Sequence, residues 1–224
     1  MDGLPAAAVA DACVRLGMPV RAAALLPALP GRRVAGPAVP ARHVGSVDIF
    51  FEAARGAPKG FVLAVDNGGR LDEGCVGDLT ALEMRANGGV GMVVWGAHRD
   101  TADLARLGFP VWSLGRCPAG PVRLDARPPD ALERAGLGGE TARRGDWVYA
   151  DDDGVVLVAG DRRAEVEVLA RQIVATERRQ AELAEAGTPL GKQLDLEGYL
   201  AARAREPGLT FRQHLRRRGG AIEE

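Results

Sequence analysis

GVGMVVWGAHRDTADL, residues 89–104, joins an apolar run to a charged triplet and a short polar-faced segment. Its first eight residues form a nearly continuous apolar run containing valines, the pattern of a strand covered on both faces. The run passes through Gly96 and Ala97 and then meets three ionisable residues, His98, Arg99 and Asp100. TADLARLG (101–108) reads as a short helix closed by glycine, and FPVWSLG (109–115) as the next strand. Upstream, GFVLAVDN (60–67) is a second buried strand, NGGRLDEG (67–74) a glycine-rich loop, and CVGDLTALEMRANG (75–88) a helix ending at Gly88. Strands alternating with short helices predict an α/β domain with partly parallel pairing.

Working outward, PAAAVADACVRLG (5–17) reads as an amphipathic helix. RRVAGPAVPARHV (32–44) reads as a broken strand, with Gly36-Pro37 forcing a bend or an edge position. SVDIFFEAARGAP (46–58) predicts a short helix with Ser46 as N-cap. Beyond residue 125, turn signals at Gly138-Gly139 and Asp151–Gly154 separate short strands. From Asp161 to Gly187 an apolar stripe of Val166, Leu169, Ala170, Ile173 and Val174 marks a long helix. Two more short helices, broken at Pro207-Gly208, complete the chain. The expected organisation is a domain over residues 1–160 and a helical extension over 161–224 that serves oligomer contacts or covers an active site.

The composition narrows the function. With 224 residues, 46% of them hydrophobic, there is ample material for a core. A net charge of -1 gives no reason to expect nucleic acid or an anionic membrane as partner. No apolar run approaches the ~20 residues of a membrane helix, and no basic n-region marks a secretory signal. Three widely spaced cysteines (Cys13, Cys75, Cys117) form neither a metal-type pair nor a disulfide framework. A cytoplasmic protein is expected.

The letters His98-Arg99-Asp100 match a kinase catalytic loop, but the asparagine such a loop needs five residues after its aspartate is Ala105 here. Asp78 offers more. It opens the helix that precedes the 89–96 strand, and twenty residues separate it from Arg99. A tight return brings both charged ends to one edge of the sheet, where α/β folds place their sites. Free amides at a helix start attract a carboxylate, Arg99 adds a planar cation, and Asp100 is a hard oxygen ligand. Taken alone, Asp78 reads first as an N-cap and Arg99-Asp100 as a surface pair in a turn, and the spacing by itself does not decide between the readings.

The D-x20-R-D pattern of Asp78, Arg99 and Asp100 resembles the signature of the 4-hydroxy-4-methyl-2-oxoglutarate/4-carboxy-4-hydroxy-2-oxoadipate aldolases and the related regulators of ribonuclease activity A. Val9-Ala10-Asp11-Ala12 with Leu16-Gly17, Val34–Ala38, Val65-Asp66 with Gly68-Gly69, and Gly145-Asp146 with Ala150-Asp151 and Asp153-Gly154-Val155 extend the resemblance over roughly residues 5 to 187. It implies a swivelling β/β/α fold assembled as a homotrimer or homohexamer, with sites between subunits. It further implies a divalent cation, Mg2+ or Mn2+, on Asp100, and Arg99 on the substrate's carboxylate and keto oxygen. Amides of Gly77, Asp78, Leu79 and Thr80 would receive the carboxylate, and Asp78 would hold a catalytic water. Glu177 would reach a neighbouring subunit's site.

The expected activity is retro-aldol cleavage of a pyruvyl-containing 4-hydroxy-2-oxo acid, with oxaloacetate decarboxylation through the same enolate. A Schiff-base route has little support, since Lys59 and Lys192 sit in no motif. The alternative is a non-catalytic regulator that docks on an RNA-degrading enzyme. Trp95 reads as packing and His43 as structural, while His98 is the triplet member without an assigned part.

Overall fold

The computed structural model describes residues 3–218. Helix α1 (Ala6–Arg15) is followed by the short strands β1 (Arg21–Ala23) and β2 (Leu26–Pro27) and by β3 (Val34–Arg42). Next come α2 (Asp48–Ala54), β4 (Val62–Asp66), β5 (Gly74–Val76), α3 (Asp78–Ala86), β6 (Gly91–His98), α4 (Thr101–Leu107) and β7 (Val111–Arg116). Two hairpins follow, β8 (Arg134–Leu137) with β9 (Glu140–Arg143) and β10 (Asp146–Asp151) with β11 (Gly154–Ala159). Helices α5 (Arg163–Glu185), α6 (Leu190–Gln193), α7 (Leu196–Arg205) and α8 (Phe211–Arg218) end the described chain.

Nine strands form one sheet in the order β1-β11-β10-β3-β4-β6-β7-β2, with β5 pairing β6 off this path. The β3-β4-β6-β7 run is parallel, as the alternating pattern predicts, and the flanking pairs are antiparallel. Alternate residues feed two cores. Leu63, Val65, Met92 and Val94 join Phe50, Met84 and Leu104 beneath the helices. Val62, Ala64 and Val93 join Trp112, Leu137, Val148 and Leu157 on the other face. Coverage on both faces is why these strands read as unbroken apolar runs.

Strand β3 corrects the sequence reading. It is continuous, and its prolines are tolerated because it changes partner along its length. Val34–Pro37 pair antiparallel with β10, while Ala38–Arg42 pair parallel with β4. Pro37 and Pro40 therefore each serve a ladder on one side only. A Cβ on Gly36 would lie 2.0 Å from the Gly60 carbonyl oxygen, so the glycine admits a crossing backbone. Three smaller corrections follow. Val47, not Ser46, holds the N-cap position of α2, and the Ser46 side chain bonds Asp48 instead. Part of the glycine-rich loop becomes β5, which moves the start of α3 from residue 75 to 78. Strand β6 extends through His98.

The chain divides into two compact units, the first running through Glu167 and the second starting at Val168, so the division falls inside α5. In the second unit Tyr199 packs edge-on to Phe211, with ring centroids 4.9 Å apart, and its hydroxyl donates to the Leu209 carbonyl. Three short helices stand where two were expected, because Leu190–Gln193 adds a turn. No helix among the described residues is long and apolar enough to cross a membrane.

Gly36→Ala should lower unfolding free energy by roughly 1–3 kcal/mol, the usual cost of forcing volume into a packed interior. Urea denaturation measures it, and a midpoint equal to wild type would contradict the close approach of Gly36 and Gly60.

Candidate active site

The short strand β5 brings the two halves of the charged pattern together. It runs parallel to β6 with Val76 opposite His98, so the residues that follow each strand emerge side by side. The Arg99 amide donates to the Val76 carbonyl at 2.9 Å. Gly77 then takes the N-cap position of α3, with Asp78 as the first helical residue, and Asp100 takes the N-cap position of α4. Two helix starts thus meet at the carboxyl edge of the parallel sheet.

Glycines make the space. A Cβ on Gly77 would lie 2.2 Å from Asp100 Oδ2 and 3.1 Å from Arg99 Cγ. A Cβ on Gly74 would lie 2.9 Å from Arg99 Cβ, and one on Gly120 would lie 2.8 Å from Arg99 Nη1. Arg99 therefore runs through a channel of three glycines, with Gly74 also tied to the Ala119 carbonyl at 2.7 Å. The sequence reading missed Gly74 and Gly120, whose only signal was a glycine of no obvious turn role.

Arg99 Nε lies 3.3 Å from Asp100 Oδ2, and both side chains are exposed enough to meet a ligand. Asp100 adopts a left-handed backbone, φ 56°, unusual for a non-glycine. It makes no side-chain cap bond to α4, so its carboxylate is not spent on the helix. Asp78 Oδ1 accepts from the Leu79 amide at 2.8 Å. One of the amides expected to receive a carboxylate thus donates to the protein's own Asp78. Leu79 is exposed and Thr80 buried. Glu177 belongs to the second unit, exposed on α5.

Beside this triad, at the ends of β3 and β4, lies a buried polar cluster. Glu73 is held by Arg123 at 3.0 Å and Arg70 at 3.6 Å. Asn67 Oδ1 accepts from Arg123 at 2.8 Å and lies 2.9 Å from His43 Nδ1. His43, Asn67, Arg70 and Arg123 border a cavity of about 350 Å³. A larger cavity, about 1100 Å³, opens at the opposite edge of the sheet among Arg32, Arg33, Arg85 and Asp151–Asp153. Its buried Asp151 is spent on the Ala6 amide and Arg33; neither cavity is lined by Asp78, Arg99 or Asp100, and the triad edge is the better candidate because two helix starts and an exposed Arg99-Asp100 pair meet there. Trp95 packs against Gly138 and Gly69, where added Cβ atoms would lie 2.4 and 3.0 Å from its ring, in keeping with a packing role.

His43 and His98 are both buried, and burial holds each imidazole below its ordinary pKa. For His43 the Asn67 bond opposes this and Arg123 reinforces it. Cys75 is pushed up to about 12 by burial, which keeps it a thiol.

A sequence model described as RraA-like, Aldolase/RraA, matches residues 6–157, and the chain belongs to that family. Over 98 residues it is 39% identical to a protein of Alcanivorax borkumensis named "Putative 4-hydroxy-4-methyl-2-oxoglutarate aldolase", covering 44% of this chain and 60% of that relative. The match therefore spans under two thirds of this curated relative's length. Among solved structures, an uncharacterised Pseudomonas syringae protein superposes with TM-score 0.73 at 28% identity, over 85% of this chain and 92% of that one. Streptomyces coelicolor RraAS2, described as an unusual member of the RNase ES inhibitor RraA family, gives 0.67 at 25% identity, over 81% and 91%. The fold is accordingly the RraA-like β/β/α swivelling domain.

The histidines set a pH dependence. A base whose folded pKa lies below its unfolded value, about 6.5, contributes stability that is present above that value and lost as pH falls through it. Urea unfolding should therefore show stability declining as the pH falls below about 6.5, with a shallower decline in His43→Gln. An identical slope in the variant would show that His43 is not held neutral.

Proposed function

We propose that this protein is a cytoplasmic lyase that cleaves a pyruvyl-containing 4-hydroxy-2-oxo acid by a metal-dependent retro-aldol reaction. The observation that carries the reading is the convergence of Asp78, Arg99 and Asp100 at one sheet edge. The named aldolase relative supports the substrate class.

The donors at this edge fit a divalent cation. Asp100 offers a carboxylate over the gap left by Gly77, and no group of three or more His, Cys, Asp or Glu side chains is gathered for a metal among the described residues. One carboxylate fits Mg2+ or Mn2+, since Mg2+ keeps several waters and takes few protein ligands, and does not fit a structural zinc site. When bound, such a cation supplies Lewis-acid stabilisation of negative charge on the keto oxygen.

The chain's own residues would do the rest. The pyruvyl carboxylate sits at the start of α3, where the amides of Gly77, Asp78, Leu79 and Thr80 and the helix dipole favour an anion. To enter, it displaces Asp78 Oδ1 from the Leu79 amide. Asp78 is then free to orient a water that takes the substrate's 4-hydroxyl proton. The C3–C4 bond breaks, the hydroxyl carbon becomes a carbonyl, and its bonding pair forms the pyruvate enolate. Arg99 holds the charge growing on the enolate oxygen, and protonation at C3 releases pyruvate. Oxaloacetate loses carbon dioxide through the same enolate. Glu177 is assigned to a neighbouring subunit's site in a homotrimer or homohexamer.

The Streptomyces relative's description supports a second reading, docking on an RNA-degrading enzyme without chemistry. Pyruvate release from 4-hydroxy-2-oxo acids and oxaloacetate, with and without Mg2+, separates the two. Metal-stimulated turnover is expected, with Arg99→Ala and Asp100→Ala each lowering kcat by about 10²–10³. Absence of turnover on all of these substrates leaves the docking reading.

A further inference from the structure

His98 is the member of the charged triplet that the proposed chemistry leaves out, and it is the most completely bonded of the three. It ends β6 in the interior, 4% exposed. Nδ1 lies 2.8 Å from Ser113 Oγ on β7, and Nε2 lies 3.0 Å from Thr101 Oγ1 at the first residue of α4.

The proton positions follow from counting donors. The single hydroxyl hydrogen of Ser113 goes to the Gly115 carbonyl at 2.9 Å, while the Gly115 amide donates back to Ser113 Oγ at 3.2 Å. Ser113 Oγ can then only accept from His98, so Nδ1 carries the imidazole hydrogen. Nε2 is left with a bare lone pair, and Thr101 must donate its hydroxyl to it. With both nitrogens engaged and the ring buried, His98 is poorly placed to trade protons with a substrate. It is a strut from β7 to the start of α4, and the span it braces is Arg99-Asp100.

That span needs bracing. Asp100 sits in the left-handed region, a strained conformation for a residue with a Cβ. The backbone fixes the segment through Arg99 N–H to Val76 O and Leu104 N–H to Asp100 O, both 2.9 Å, and Cys117 N–H to His98 O at 2.8 Å. Among side chains, Arg99 Nε lies 3.3 Å from Asp100 Oδ2, and Thr101 ties the start of α4 to His98. We infer that His98, acting through the Thr101 hydroxyl, is a positioning residue that fixes the direction in which Asp100 presents its carboxylate. This rests on the reading of Asp100 as the metal ligand.

Thr101 gives a gentle test, because it is half-buried and valine replaces it at nearly constant volume. Two measurements on the full chain without substrate suffice: Mn2+ affinity by titration, and amide hydrogen exchange across residues 99–104. Thr101→Val should weaken Mn2+ binding roughly tenfold, the low end for removing a group that orients a metal ligand, and speed exchange at the Leu104 amide. Thr101→Ser, which keeps the hydroxyl, should restore both. A lowered melting temperature with unchanged Mn2+ affinity would make the bond merely structural and overturn the inference, as would unchanged exchange. A wild-type protein that takes up no Mn2+ overturns the Asp100 reading and this inference with it. Metal binding that survives in both variants defeats the inference alone.

Discussion

The register of β5 against β6 is the constraint on which the site depends. Val76 opposite His98 is what brings together the segments of Asp78 and Arg99, which have twenty residues between them. Between them the chain runs out along α3 and back along β6 without a long loop. A strand's side chains alternate faces, so one residue inserted in β6 would exchange the orientations of His98 and Arg99. The imidazole would then face outward and the guanidinium the interior. Fixed spacing in the charged pattern is thus a statement about sheet geometry before it is one about chemistry.

Much of this was legible in advance. The buried strands and the helices between them announced themselves because both sheet faces are covered and the runs are apolar throughout. The grouping of Asp78, Arg99 and Asp100 followed from a helix start and a strand end at one edge. What escaped was everything set by contacts across the fold. The prolines of β3 looked like breaks because a single sequence does not reveal that the strand changes partner at residue 37. Strand β5 is three residues long and glycine-led, too short for periodicity to register. Glu73 and Arg123, fifty positions apart, gave no local sign that they would meet. His98 was misleading for a related reason: its part is fixed by Ser113 and Thr101, neither of which carries a motif.

The molecule places long cations where it has removed side chains. Arg99 lies among Gly74, Gly77 and Gly120, and Arg123 reaches buried Glu73 beside the small side chain of Asn67. Charged groups held this way keep their direction without the entropy cost of being caught from solution at each encounter. The exposed Arg99-Asp100 pair then has a fixed frame beneath it while its ends remain open to a ligand.

The change of partner along β3 also sets an order of assembly. Its carboxyl half pairs with β4, only about two dozen residues onward, whereas its amino half waits for β10 and the first short strand closes on β11, Arg21 against Leu157. Closing a longer loop costs more chain entropy before any contact repays it. The parallel layer bearing Asp78, Arg99 and Asp100 can therefore form from a contiguous stretch of chain, and the antiparallel flank is added to it last. During synthesis the edge bearing these three residues would be complete in outline before the ribosome had delivered the strands that seal the opposite side.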